Sequence, residues 1–134
     1  KRKLVDPLQF EMSIHAEDLA NYVPSFGWEM GPPSDSQKAT LEKLGILPDE
    51  IETAGKASKL LDRLDKRRIE GLTTPKQIRF LERKGFQHVG TWEFEAAKSL
   101  INRIAGNGWR VPRDIDPYTY KPKALQESSW EEVI

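Results

Sequence analysis

Residues 34–46 read SDSQKATLEKLGI, and residues 74–86 read TPKQIRFLERKGF. At an offset of 40 the two stretches align without a gap, so that Gln37, Leu41, Glu42 and Gly45 meet Gln77, Leu81, Glu82 and Gly85. The match continues with Ala57, Leu60 and Arg63 on Ala97, Leu100 and Arg103, while Leu61 and Leu64 meet Ile101 and Ile104. An internal period of this length marks a supersecondary unit written twice. A unit so small has to bury its apolar stripe on a neighbour, and no other feature narrows the possible folds as far.

Each shared residue has a local reason. Ser34 and Thr74 stand at N-cap positions, with Gln37 and Gln77 three residues on. That is the capping-box pattern, in which the cap hydroxyl and the Gln side chain satisfy each other's orphan backbone donors. Pro75 falls on the first helical position, where its missing N–H costs nothing. Gly45 and Gly85 suit the left-handed residue beyond a helix C-terminus, and Ile46 and Phe86 follow where an apolar side chain folds back on the last turn. The repeated phrase thus predicts a helix of about ten residues, spelled from cap to cap.

A second helix follows in each unit. Ala57, Leu60, Leu61 and Leu64 recur at helical spacing, as do Ala97, Leu100, Ile101 and Ile104. Thr91, ahead of Glu93 and Glu95, suits the capped start of the later one. The connector ILPDEIETAGK carries Pro48 and Gly55 and reads as a loop. The expected fold is all-α: two tandem helix–loop–helix repeats of about 40 residues, forming a small four-helix bundle with irregular N- and C-terminal extensions. Residues 1–33 would be an irregular segment and linker, 34–72 and 73–108 the two repeats, and 109–134 an extended basic and aromatic tail with an acidic end that is a short helix or disordered. Leu41, Leu60, Leu64, Leu81, Leu100 and Ile104 would form the shared core. Tyr22, Phe26 and Trp28 are expected to pack against the domain rather than offer a binding platform.

Composition sets the function classes. The chain has 134 residues, 37% hydrophobic and 31% charged, enough for one modest core beneath a polar surface. It has no cysteine, which excludes disulfides and thiolate metal sites and fits a reducing cytoplasm. No apolar run approaches the roughly 18 residues that span a membrane. The start, KRKLVDPLQF, lacks the apolar core of a signal peptide, and the chain reads as a piece of a longer protein. The net charge is zero but unevenly spread: Lys/Arg against Asp/Glu run 3 to 5 over residues 1–33, 18 to 13 over 34–123 and 0 to 3 over 124–134. A basic middle between acidic ends points towards a polyanion.

Catalytic patterns are missing. No glycine-rich phosphate loop and no GxGxxG occurs. His15 and His88 have no partner at metal-ligand spacing, so no metal and no cofactor is expected. Asp62 and Asp65 lie four and three residues before Lys66 and Arg68, as ordinary helix-surface pairs do. The chain is expected not to be an enzyme. Its basic side chains say more. Lys59, Arg63 and Arg67 recur every four residues with Lys66 beside them, and Lys76, Arg79 and Arg83 form a second stripe off the apolar face. Like charges at this spacing repel, a cost that bound phosphates would relieve. In the tail Trp109, Arg110, Arg113, Tyr118, Tyr120 and Lys121 interleave rings with cations, so that bases could stack while phosphates are met. The competing reading has those rings covering one end of the helix bundle.

The run YVPSFGWEMGPPSDSQKATLEKLGI, then AGKASKLLDRL, GLTTPKQIRFLERKGF, and GWRVP with DPYTY, resembles the C-terminal region of superfamily 2 (DEAD/DEAH-box) helicases of bacterial chromosomes, phages and mobile elements. The resemblance covers roughly residues 1–123 by pattern rather than by any catalytic motif. It implies a helicase motor upstream, in whose nucleotide site this chain has no part. Each repeat is also similar in outline to SAP-type helix–loop–helix modules, which commonly bind DNA. The expected function is therefore sequence-nonspecific nucleic-acid binding, to single- or double-stranded DNA, by a monomeric, cytoplasmic accessory domain that presents substrate to the motor. A protein-docking module or a structural C-terminal cap of the same parent is the alternative.

Overall fold

The structure, a computed structural model, describes residues 4–122. The fold is all-helical, and among the described residues there is no β-strand. The helices are α1 (Pro7–Ser13), α2 (Glu17–Ala20), α3 (Gly27–Met30), α4 (Asp35–Lys43), α5 (Ala54–Ile69), α6 (Pro75–Arg83) and α7 (Phe94–Gly106). Short 3-10 turns at Pro48–Glu50 and Val89–Thr91 lie between α4 and α5 and between α6 and α7. The expected acidic end of the tail falls on residues 123–134, outside the described residues.

The repeated phrase forms the same hydrogen bonds twice. Gln37 N–H donates to Ser34 Oγ at 3.1 Å while Ser34 N–H donates to Gln37 Oε1 at 2.9 Å. Gln77 and Thr74 repeat the exchange at 3.1 Å in both directions. At the other end Ile46 N–H reaches Leu41 C=O at 2.9 Å and Phe86 N–H reaches Leu81 C=O at 3.1 Å. Both closures require the intervening glycine to be left-handed, and Gly45 and Gly85 have φ of 96° and 100°. Each Gln also does something that capping alone does not require. Gln37 Nε2 donates to Ala54 C=O at 3.2 Å and Gln77 Nε2 to Phe94 C=O at 3.3 Å, so each cap residue ties its own helix to the start of the next. The glycine three residues before each cap closes the same junction, since Ala54 N–H donates to Gly31 C=O at 2.7 Å and Phe94 N–H to Gly71 C=O at 2.8 Å.

Gln77 is buried and Gln37 is half-buried, which separates the two energetically. Gln77→Ala is expected to cost about 1–3 kcal/mol, because Thr74 N–H and Phe94 C=O lose partners away from water. Gln37→Ala should cost less. Urea unfolding of both variants checks this, and equal losses would show that burial of the bonds is not what sets their worth.

The core contains every side chain expected there, with Leu41, Leu60, Leu64, Leu81, Leu100 and Ile104 all buried. It is wider than the two units, however. Val5, Phe10, Ala16 and Leu19 join it from the N-terminal segment, and Phe86, Val89 and Trp92 from the second connector. The irregular linker expected over residues 1–33 is instead three short helices, with α1 packed on α6, and α2 and α3 packed on α5. Helices of four to seven residues are too short to display a period, and packing rather than propensity holds them. Asp6 still caps α1, accepting from Gln9 N–H at 3.0 Å, with Pro7 at its first position.

Two boundary expectations also change. Gly55 belongs to the first turn of α5 rather than to a loop, and it is needed there because a Cβ would collide with Tyr22 Oη and stand 2.9 Å from Glu29 Cβ. Thr91 does not cap α7: its hydroxyl donates to His88 C=O at 2.7 Å, and Glu93 holds the N-cap position without a side-chain bond.

Candidate nucleic-acid interface

The two basic stripes have different fates. On α5, Arg63 Nη2 lies 2.6 Å from Asp18 Oδ2, and that hydrogen bond holds the Asp18 carboxyl below its ordinary pKa. Lys59 Nζ lies 5.6 Å from the centre of the Tyr22 ring. Arg67 is only 8% exposed. Its Nη2 donates to Gly90 C=O at 2.9 Å, Thr73 Oγ1 at 3.0 Å and Thr73 C=O at 3.1 Å, and its guanidinium lies 6.0 Å from the Phe10 ring centre. Burial pushes its pKa down. Arg67 therefore staples α5 to the second unit and is turned away from any phosphate. Of the α5 cations assigned to the interface, Lys66 alone is exposed with no partner among the described residues.

The α6 stripe is better placed. Lys76, Arg79, Phe80, Arg83 and Lys84 line a shallow groove of about 690 Å³, closed by Gln77 below and by Ile101 of α7. Arg79 is partly committed, with Nη1 donating to Leu4 C=O at 3.2 Å. Lys76 and Arg83 are exposed, and the stem of Lys76 passes over Gly45 of the first unit. Asp65 and Glu82 are both engaged elsewhere, with Arg68 at 2.9 Å and with the Ser13 hydroxyl at 2.9 Å.

The tail divides its rings between the two readings. Tyr120 covers the fold, packing edge-to-face on Phe86 and Trp92 with ring centres 5.6 and 5.7 Å apart. Trp109 turns to the α6 groove, edge-to-face with Phe80 at 6.0 Å, and Lys84 Nζ donates to its carbonyl at 2.8 Å. Tyr118 is exposed. Arg110 and Arg113 are exposed around a separate hollow with Arg103, whose Nη2 pairs with Asp114 at 2.8 Å and holds that carboxyl below its ordinary pKa. The structure thus brings together Lys76, Arg79, Arg83 and Trp109, and sets Lys59, Arg63 and Arg67 against other partners. Sequence reasoning missed Lys84 and Phe80 as members of this group. Their signal was present, because Lys76, Phe80 and Lys84 follow one another at four-residue spacing on one helix face.

Tyr22, Phe26 and Trp28 depart from expectation as well. Tyr22 packs on α5, but Phe26 and Trp28 are 68% and 64% exposed, next to exposed Val23 and Met30. Among the described residues no group of His, Asp or Glu could hold a metal ion, and no helix is long and apolar enough to cross a membrane. Comparison of the chain with protein-family models, with curated proteins and with solved structures found no match.

Proposed function

We propose that this chain binds nucleic acid without carrying out a reaction on it, and that within a longer protein it presents the strand to a motor domain. The α6–α7 groove carries this reading: Lys76, Arg79, Arg83 and Lys84 line it, and no carboxylate does. A polyanion entering such a groove releases its condensed counterions, which supplies most of the affinity in sequence-independent binding. Recognition ignores sequence where these cations meet phosphates rather than base edges, since phosphate contacts carry no sequence information.

Labelled single-stranded and duplex DNA should bind with dissociation constants of about 10⁻⁴ to 10⁻⁶ M near physiological salt, weakening as salt rises. Lys76→Glu combined with Arg83→Glu should abolish binding at physiological salt and flatten the salt dependence, with helix content unchanged because both side chains are exposed. Arg67 is excluded from such a set, since a carboxylate there would be buried against the Thr73 and Gly90 carbonyls and would destabilise the fold. No binding to either form at low salt would sink the proposal. The second reading, a docking module for a protein, rests on the exposed Val23, Phe26, Trp28 and Met30 around α3.

A further inference from the structure

Trp109 is held in a conformation that its own backbone disfavours. Its φ is 65°, in the left-handed region where a bulky side chain is uncommon and costs energy. Three contacts hold it there. Its N–H donates to Ile104 C=O at 2.9 Å, its carbonyl accepts from Lys84 Nζ at 2.8 Å, and its ring meets Phe80 at an interplanar angle of 78°. Yet the residue is 56% exposed. Burial does not account for this arrangement, because a ring serving the core would be covered, as Trp92 is. The strain and the three anchors together present a fixed aromatic surface to solvent, beside a groove lined with cations.

We infer that Trp109 is the stacking platform for an unpaired base, so that the ligand of the α6–α7 groove is single-stranded nucleic acid rather than duplex. This rests on the nucleic-acid reading above and narrows it. A strand whose phosphates run along Lys76, Arg83 and Lys84 brings its bases past the end of α6, where Trp109 stands against Phe80. Every base has a π-face, so a fixed ring takes any of them without regard to sequence. In a duplex the bases already stack on one another, and the ring reaches only sugar and phosphate. Fixing the ring beforehand also removes the ordering cost that a mobile Trp would meet on binding.

The test uses the whole chain and three labelled probes of equal charge: an oligothymidylate of about twelve nucleotides, an abasic oligomer of the same length, and a hairpin duplex. The wild-type protein should bind the oligothymidylate more tightly than the abasic oligomer, a comparison that needs no variant to fold. Trp109→Ala should weaken oligothymidylate binding by about 5- to 150-fold, the stacking of one base. It should leave the abasic and duplex affinities unchanged. Trp109→Phe should recover most of the loss. Trp109→Ala that weakens all three probes equally, or none, would overturn the stacking role while leaving nucleic-acid binding in place. Equal wild-type affinity for the oligothymidylate and the abasic oligomer would overturn it too. Failure of all three probes to bind would bring down the broader reading instead.

Discussion

Lys56→Met will destabilise the protein by about 3–5 kcal/mol, the cost of leaving one member of a buried ion pair without its partner. Glu11 of α1 is 1% exposed, and Lys56 Nζ lies 3.1 Å from its Oε2 and 3.3 Å from its Oε1. The same ammonium donates to Leu19 C=O at 2.5 Å, so one side chain of α5 satisfies groups from α1 and α2 together. With Met at this position the Glu11 carboxylate stays where water does not reach it. Adding Glu11→Leu to Lys56→Met should restore much of the loss, because an apolar pair of similar volume carries no charge to desolvate. Urea unfolding of the single and double variants measures both effects. A single variant that loses less than about 1 kcal/mol, the range of surface pairs, would mean that the pair is hydrated and the N-terminal helices are held by apolar contacts alone.

Trp92→Ala should cost a similar amount, about 3–5 kcal/mol, as large aromatic truncations in cores do. Trp92 is among the largest fully buried side chains, and it packs edge-to-face on Phe86 and Tyr120 with ring centres 5.9 and 5.7 Å away. The three rings join the two ends of the second connector and the tail, so the cavity left by Ala opens where the tail meets the connector. Truncation should therefore speed proteolysis within residues 109–122 before the helices unfold. Thermal melts with parallel limited proteolysis would show this. Cleavage of the tail no faster than in wild type would indicate that Tyr120 holds the tail without Trp92. Trp92→Phe should lose less, since a smaller ring keeps part of the contact.

Arg67 and Lys66 show how far a sequence carries. On a helical wheel Arg67, seven residues after Leu60 and three after Leu64, falls on the apolar stripe, while Lys66 falls on the opposite face. The spacing turns Arg67 inward but does not say what receives it. Arg67 is buried because Thr73 and Gly90 place two carbonyls and a hydroxyl around its guanidinium, and Gly90 is 23 residues distant. Arg63 is likewise taken by Asp18, 45 residues away, and Arg79 by the Leu4 carbonyl, 75 away. Partners at such separations leave no local trace. The N-terminal helices are illegible for a related reason: α2 and α3 have four residues each, fewer than the span over which a 3.6-residue period shows itself.

By itself the sequence determined the two helix pairs, the capping boxes of α4 and α6 and the leucines between the helices. Capping boxes, left-handed glycine closures and apolar spacing act between residues at most a few turns apart, so their cause lies wholly within the repeated phrase. Only the tertiary structure decided which cations remain exposed, which rings are covered, and that Trp109 stands fixed beside the α6 groove. Those outcomes depend on where distant segments pack, and a side chain's availability is a property of what the rest of the chain puts against it.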